Sequence, residues 1–256
     1  MVINVKSILS IENLFFTYAD GTEALRNVNL DIRPRELFVL FGPARSGKTT
    51  LLRLLNRLSD LIEGTEHRGT ILFNDRNVFD RDVNVTDLRR RISMVFAIPT
   101  PLPGSIYDNL TYGLRMAGIR DQTTLDERAE RGLRQAALWD EVKDRLDRSA
   151  FALSGGQKQR LCLARSLALE PEIILLDNPT SGLDPISTAR VEESLYDLKQ
   201  QYTVVLVPHS VQQAARVADR AAFILNGEII EIGRQSEIFV NPGDKRTEDY
   251  ISGRFG

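Results

Sequence analysis

LFVLFGPARSGKTTLL, residues 37–52, is the stretch that decides the fold. A five-residue apolar run typical of a buried strand breaks into Gly-x-x-x-x-Gly-Lys-Thr, and leucines then recur at helical spacing. Strand, glycine-rich loop and helix form the context of a P-loop, where backbone N–H groups and a helix N-terminus converge on phosphate. Lys48 is expected to reach the β- and γ-phosphates and the Thr49 hydroxyl to hold Mg²⁺. We assign the phosphate cradle to nine consecutive residues: Gly42, Pro43, Ala44, Arg45, Ser46, Gly47, Lys48, Thr49 and Thr50.

Composition limits the classes of function. The chain of 256 residues can bury a core, and 33 Lys and Arg against 35 Asp and Glu give a net charge of −2, which does not support nucleic-acid binding. Cys162 is the only cysteine, which excludes an internal disulfide and fits a reducing compartment. The N-terminus lacks a signal-peptide core, and no apolar run approaches the ~20 residues of a membrane span. Any membrane role is therefore expected to work through a partner.

Strand and helix patterns alternate on both sides of a helical stretch. Strand patterns occupy 8–18, 24–32, 69–73, 92–96, 172–177, 203–208 and 222–232, the last with a hairpin turn at Asn226-Gly227. Helical spacing follows the P-loop to about Leu58 and returns at 185–200 and 211–218. Three closely spaced prolines in 99–103 precede a purely helical pattern at 105–148. We predict an α/β core with a largely parallel main sheet, joined to a helical lobe.

A second candidate cradle lies at LSGGQ, residues 153–157, where two glycines after a serine open a helix. An ordinary N-cap with a close helix contact explains this stretch when it is taken alone. Beside a P-loop it favours a two-fold dimer, in which each Ser154-Gly155-Gly156 covers the nucleotide held by the other chain. Within one chain, the helical lobe would have to fold back onto the P-loop.

Further candidate ligands follow strands. Asp177 ends the apolar run IILLD, and a Mg²⁺ shared with Thr49 would give a buried carboxylate its partner. His209 ends the stretch TVVLVPH, where a γ-phosphate can accept its hydrogen bond, and a structural histidine is the alternative. Tyr18 can stack on a purine or simply be a core or edge aromatic. His67 falls in a predicted polar loop and receives no role.

Together these motifs resemble the ATP-binding cassette (ABC) family, and the resemblance covers nearly the whole chain. Five motifs occur in the family's order: the P-loop, LSGGQ (153–157), LLDNPT (175–180), SGLDP (181–185) and His209. The resemblance implies a P-loop core with an N-terminal antiparallel β region and an inserted helical subdomain. It places one domain at 1–256, with the core at 1–97 and 166–256 and the helical signature subdomain at 98–165.

The same resemblance implies ATP and Mg²⁺ as ligands. Tyr18 becomes the adenine-stacking aromatic, and Ser154, Gly155, Gly156 and Gln157 contact nucleotide across a head-to-tail homodimer. The helical subdomain is expected to dock on transmembrane permease subunits, which puts the chain at the cytoplasmic face of the membrane. Within the family the chain is most similar to the ATPase of bacterial phosphate importers, on four stretches: LRRR (88–91), PTPLP (99–103), SIYDN (105–109) and DYISGRFG (249–256).

Two positions depart from the family's pattern, and both concern hydrolysis. Asn178 stands where the family has a water-polarising glutamate, and an amide accepts a hydrogen bond but cannot take a proton. Ala97 replaces a glutamine that touches Mg²⁺ and relays motion to the helical lobe. Asp184 and His209 are candidates for partial rescue. Arg45 is unusual in such a loop, and its side chain either extends into solvent or adds charge near a phosphate.

Three functions compete. The leading hypothesis is an ATPase that couples ATP binding and hydrolysis to solute import, with phosphate as the solute and slow turnover because of Asn178 and Ala97. The rival is a catalytically weakened ATP-binding switch or regulatory subunit, which the same two residues favour. A P-loop kinase for a small molecule would leave the Ser154–Gly156 cradle unexplained.

Overall fold

Two β-sheets hold the strands of the computed structural model, which describes residues 6–254. Residues 1–5, where the search for a signal peptide begins, lie outside the described residues. So do Phe255 and Gly256, the last two residues of the DYISGRFG stretch. In chain order the strands are β1 Leu9–Thr17, β2 Glu23–Ile32, β3 Leu37–Phe41, β4 Glu66–Phe73, β5 Arg76–Asn77, β6 Ile92–Val95, β7 Ile173–Asp177, β8 Thr203–Val207, β9 Arg220–Leu225 and β10 Glu228–Arg234.

The larger sheet has the order β10-β9-β3-β8-β7-β6. Its strands pair in parallel from β9 to β6, and only β10 at the edge is antiparallel. Strands β3 and β8 are buried at every position, as their unbroken apolar runs require in a sheet covered on both faces. The largely parallel main sheet is thus confirmed. So is the hairpin at Asn226-Gly227, where both residues have positive φ.

The smaller sheet has the order β2-β1-β4-β5 and is antiparallel throughout, which confirms the predicted N-terminal β region. One of its faces packs with the main sheet and α1 in a shared core that includes Leu9, Phe16 and Leu52. Arg220 of β9 ties the two sheets together, since its guanidinium bonds to the carboxylates of Asp31 and Glu36. The position of the P-loop between the sheets follows from this packing.

The helices are α1 Lys48–Leu55, α2 Val85–Arg91, α3 Ile106–Met116, α4 Gln122–Gln135, α5 Trp139–Val142, α6 Gly155–Ala168, α7 Pro185–Leu198, α8 Val211–Val217, α9 Gln235–Ile238 and α10 Lys245–Ile251. Helix α1 ends three residues before the predicted Leu58, and a 3₁₀ turn follows it at Leu58–Leu61. Ser105 and Ser154 begin α3 and α6 with capping boxes. Within residues 6–254, no helix combines the length and the apolarity needed to cross a bilayer.

Helices α3 to α5 form the predicted helical stretch, 105–148, and α6 follows it. Leu110, Leu133 and Leu161 come from three of these helices and share a core with the other face of the main sheet. The proline-containing segment 99–103 is neither helix nor strand, as predicted. An isolated bridge from Ser105 to Ser149 closes the two ends of the stretch.

The predicted polar loop around His67 is wrong. His67 lies in β4 opposite Phe16 of β1, and its ring stacks on Phe79 with 3.9 Å between centroids. The neighbouring Arg68 lies over the ring of Phe15 at 3.8 Å. Pairing with β1 and these ring contacts stabilise a strand whose own composition is polar, because cross-strand contacts outweigh local propensity.

Candidate nucleotide-binding site

The glycine-rich loop is held so close to neighbouring backbone that two of its positions require glycine. Gly42 has φ 150°, and a Cβ there would lie 2.0 Å from the carbonyl oxygen of Ile224 on β9. Gly47 has φ 100°, and its Cβ would lie 2.5 Å from the carbonyl oxygen of Ala24 on β2. The loop is therefore fixed in an open turn that leads into α1 at Lys48, as predicted.

The side chain of Lys48 curls over this loop. Its Nζ donates to the carbonyl oxygens of Gly42, at 2.9 Å, and Pro43, and to the Ser46 hydroxyl at 3.2 Å. Burial lowers the pKa of Lys48 to about 8, and the nearby carboxylate of Asp177 opposes this shift. Neutral backbone oxygens thus accept from a partly desolvated ammonium, to which the charged oxygens of a phosphate would bind more strongly.

The lowered pKa of Lys48 predicts a pH dependence of nucleotide binding. A triphosphate favours the protonated amine, so binding takes up a proton at pH values above about 8, and the affinity falls as the pH rises. We expect nearly constant ATP affinity from pH 6.5 to 7.5 and a loss of up to about tenfold per pH unit beyond 8. Titration calorimetry across this range measures it.

The control for the pH dependence is Lys48→Arg. A guanidinium stays charged throughout this range, so the affinity of the variant should not change with pH even if its absolute value is lower. An unmodified chain whose affinity is equally flat up to pH 9.5 would contradict the assignment of the effect to Lys48.

A cavity of about 570 Å³ opens beside the loop and α1. Six of the predicted site residues line it: Tyr18, Arg45, Gly47, Lys48, Thr49 and Thr50. The Tyr18 hydroxyl hydrogen-bonds to Thr50 Oγ1 at 2.8 Å, and its ring packs edge-on against Phe16. Arg45 is exposed, with φ 62°. One wall therefore consists of residues that the sequence pattern picked out.

The other wall consists of residues that sequence reasoning missed: Thr22, Glu23, Ala24, Arg26, Asn226 and Gly227. The β9–β10 turn reaches the site because the Gly227 N–H donates to the Ser46 carbonyl oxygen at 3.1 Å. The Gly227 carbonyl in turn accepts from the Arg26 N–H at 2.8 Å. The Asn-Gly signal predicts the turn, but nothing local predicts that it packs on the P-loop.

The carboxyl ends of β7 and β8 bring three candidate residues to the same edge of the sheet. Asp177 pairs with Val207 and is half-buried, which corrects the expectation of a buried carboxylate. The Asn178 N–H donates to the Val207 carbonyl at 2.8 Å, while its Oδ1 is buried without a hydrogen-bond partner. His209 lies two residues beyond Val207 and is exposed. Its backbone N–H donates to the side-chain oxygen of the buried Gln213 at 2.8 Å.

Asp184 lies farther along the chain, where it caps α7. Its carboxylate accepts the N–H groups of Ile186 and Ser187 and the Ser187 hydroxyl, and these bonds keep its pKa below the ordinary value. As it stands in this structure, that carboxylate is a helix cap rather than a free base.

The LSGGQ turn is separate from the cavity, and none of residues 154–157 lines it. Ser154 and Gly155 are exposed, whereas Gly156 is buried so closely against α7 that a Cβ would lie 2.5 Å from Ser187 Oγ. Ser154 and Gln157 close a capping box at the start of α6. The turn thus presents an exposed helix N-terminus, and close packing of Gly156 against α7 restricts its conformation.

The donors available for a metal ion suit Mg²⁺. The hydroxyl of Thr49 and the carboxylate of Asp177 are hard oxygen ligands, and Lys48 lies near both. In the described part of the chain, no group of three or more His, Cys, Asp or Glu side chains is arranged to hold a metal. A Mg²⁺ here would therefore take most of its ligands from phosphate and water, as this ion commonly does.

A glycine-rich loop between a buried parallel strand and a helix, beside a cavity and a carboxylate-ending strand, defines a P-loop nucleotide-binding protein. The family model described as ABC transporter matches residues 25–181. This chain belongs to the ABC transporter family.

Two similar proteins and two solved structures agree with this. The phosphate import ATP-binding protein PstB of Staphylococcus saprophyticus is 51% identical, covering 98% of this chain and 86% of that protein. PstB of Mycoplasma capricolum is 50% identical, covering 98% and 94%. The structure of cbiO1 from Clostridium perfringens, part of the ABC transporter complex cbiONQ, has TM-score 0.80 at 26% identity and covers 97% and 96%. A dimeric structure of the ATP-binding cassette MJ0796 with ADP and Pi has TM-score 0.77 at 29% identity and covers 89% and 98%.

Proposed function

We propose that this chain is the ATP-binding subunit of an importer for inorganic phosphate, in which it couples ATP binding and hydrolysis to a membrane permease. The observation that carries the ATP-binding part is Lys48, held over a glycine cradle beside a cavity of about 570 Å³. The choice of phosphate rests on the two PstB relatives, which are similar over nearly the whole chain. Their similarity also favours an importer subunit over a regulatory switch.

Five candidate side chains, at the cavity or at the ends of β7 and β8, have proposed tasks. Lys48 binds the β- and γ-phosphates together with the N–H groups of the loop, and Tyr18 stacks on adenine from the cavity wall. Thr49 and Asp177 would hold Mg²⁺, which neutralises charge on the β- and γ-phosphates when it is bound. His209 donates to the γ-phosphate from the end of β8.

A second copy of the chain completes the site in this proposal. Ser154 and Gly155 are exposed at a helix N-terminus but lie outside the cavity of their own chain, so they are free to cap the nucleotide of a partner. The structure of MJ0796, which is dimeric and contains ADP and Pi, supports by similarity a dimer in the nucleotide-bound state. A head-to-tail two-fold dimer would bury two nucleotides between equivalent surfaces.

We further propose that hydrolysis is slow. Asn178 cannot accept a proton from water, and the methyl group of Ala97 has no polar atom to bind a metal or a water molecule. The carboxylate of Asp184 is occupied as a helix cap, which leaves His209 as the freer candidate for partial rescue. The amide of Asn178 can still orient water by accepting its hydrogen bond, once the side chain turns and exposes the Oδ1 that is buried without a partner in this structure.

The helical stretch offers a surface for the permease. The C-terminal end of α3 exposes Tyr112 and Met116, beside a largely apolar cavity of about 450 Å³ between α2 and α3. Gly113 and Leu169 contribute to its wall. We propose that the chain divides into a core at 1–97 and 166–256 and a helical subdomain at 98–165. The helical subdomain would dock a permease segment on this side. The chain would thereby bind the cytoplasmic face of the membrane as a peripheral subunit.

The test is reconstitution with the permease in vesicles that enclose a separate phosphate-binding protein, which would deliver the solute to the permease. We expect the chain to co-purify with the permease and ATP consumption to rise when phosphate is supplied, with sulfate as the matched solute control. Lys48→Ala in the same complex gives the background rate. Stimulation by sulfate instead of phosphate would refute the choice of solute, and failure to co-purify would refute the importer role.

A further inference from the structure

A single carboxylate, that of Glu141, joins three segments of the chain. Glu141 lies on the short helix α5, and its side chain is 27% exposed. It accepts hydrogen bonds from Arg160 at 2.7 and 3.1 Å, from Gln157 Nε2 at 2.9 Å, and from Arg190. Two of these donors lie in α6 and the third in α7, so one side chain links α5, the start of α6 and α7.

The contact with Gln157 fixes the turn that carries Ser154. The Gln157 side-chain oxygen accepts the Ser154 N–H at 3.0 Å, while its amide nitrogen donates to Glu141. A side-chain amide has one accepting and one donating end, and both are used here. The carboxylate of Glu141 therefore determines which end faces Ser154, and with it the conformation of the exposed N-terminus of α6.

The two arginines give this carboxylate a charged setting. The Arg160 side chain is only 3% exposed and donates to the Ala137 carbonyl as well as to Glu141. Burial raises the pKa of Glu141, but hydrogen bonds from Arg160 and Gln157 outweigh it and leave the pKa below its ordinary value. Glu141 is thus a carboxylate at neutral pH, as the buried guanidinium requires.

Arg190 extends the connection to α7, which packs on the same turn from behind. Ser187, one turn before Arg190, touches Gly156 and donates its hydroxyl to Asp184 at 2.6 Å. The start of α7 and the start of α6 are therefore held together twice, once by Gly156 against Ser187 and once by Glu141 with Arg190.

We propose that Glu141 is a positioning residue for nucleotide-dependent dimerisation. It holds the Ser154–Gly156 turn in a fixed orientation on α7, so that the turn meets the phosphates of the partner chain without first having to be ordered. The inference rests on the proposed function, because the sandwich dimer is where the orientation matters. It assigns no role to Glu141 in the binding of ATP by the P-loop of its own chain.

The test compares Glu141→Gln with Glu170→Gln in the full chain. Glutamine keeps one accepting oxygen but replaces the other with an amide NH2, which is a donor and cannot accept from Gln157 Nε2 or from an arginine. Glu170 is the matched control, since it also pairs with two arginines, Arg128 and Arg131 of α4, but just beyond the C-terminal end of α6, at the opposite end of that helix from Ser154. Sedimentation with Mg-ATP gives the dimer dissociation constant, and calorimetry at dilute protein gives the ATP affinity of the single chain.

We expect Glu141→Gln to raise the dimer dissociation constant by about tenfold or more, which corresponds to loss of a charged hydrogen bond. Its single-chain ATP affinity should stay within about twofold of the parent, and Glu170→Gln should change neither quantity. Arg190→Met is a second variant at an exposed position, so it should fold normally and weaken the dimer in the same direction.

The outcomes separate the two proposals. If the unmodified chain dimerises with ATP and Glu141→Gln dimerises equally well, the positioning role is wrong and the proposed function stands. Equal weakening by Glu170→Gln, or a lower melting temperature with an unchanged dimer constant, would also overturn it. If the unmodified chain fails to dimerise with ATP, the sandwich dimer and this inference fall together.

Discussion

Replacing Asn178 by glutamate is expected to raise the steady-state rate of ATP hydrolysis by about 10²–10⁴, the contribution typical of a general base. An amide can orient water but cannot take its proton. Asn178 stands at the joint end of β7 and β8, directly after Asp177, and its buried Oδ1 has no partner. A carboxylate that turns from this position toward the γ-phosphate would both orient and deprotonate water there.

The backbone at this position adds a cost. Asn178 has φ 52°, a conformation that asparagine tolerates better than glutamate, so the glutamate variant is expected to lose about 1 kcal/mol of folding free energy. Hydrolysis should therefore be measured well below the melting temperature. Asn178→Asp should tolerate the positive φ as asparagine does, but the aspartate side chain is one methylene shorter than that of glutamate. A smaller gain in rate is therefore expected.

Asn178→Ala serves as the control, because it removes the amide without adding a base and should not accelerate hydrolysis. Phosphate release by the purified chain, with and without permease, measures all three variants. A brisk rate in the unmodified chain that the glutamate leaves unchanged would show that Asn178 does not limit turnover. The slow-hydrolysis proposal would then be wrong, whereas ATP binding would be unaffected.

Local sequence was a good guide to the core of the fold. The apolar run before Gly42, the helix start at Lys48 and the turn at Asn226-Gly227 are each determined by a few neighbouring residues, and all three occur as predicted. The error at His67 has the opposite cause, since a polar segment became a strand through pairing with β1 and stacking on Phe79. Contacts across the sheet decided that segment, and local composition does not contain them.

The residues of the candidate site fall into the same two groups, those that local sequence predicts and those that only distant contacts place there. The spacing of the P-loop motif pointed to Lys48, and the apolar run IILLD pointed to Asp177, because a carboxylate that ends a buried strand needs a partner. Thr22 and Glu141 carry no such pattern, and their places at the cavity wall and behind the Ser154 turn arise from packing between distant segments. Such residues become visible only once the three-dimensional contacts are known.

Lys48→Ala is expected to abolish nucleotide binding. Lys48 would make charged hydrogen bonds to two phosphates, each worth about 1.5–3 kcal/mol, so their joint loss weakens ATP by about 10²–10⁴-fold. The fold should survive, because the ammonium is partly desolvated and its present partners are loop oxygens rather than core groups. Thermal melting with increasing ATP measures both properties: the parent gains stability as the ligand binds, and the variant does not.

Lys143→Ala, at an exposed lysine of the helical stretch, is the matched control and should respond to ATP like the parent. An ATP-dependent rise in melting temperature that survives Lys48→Ala would contradict the role given to this lysine and reopen the assignment of the cavity.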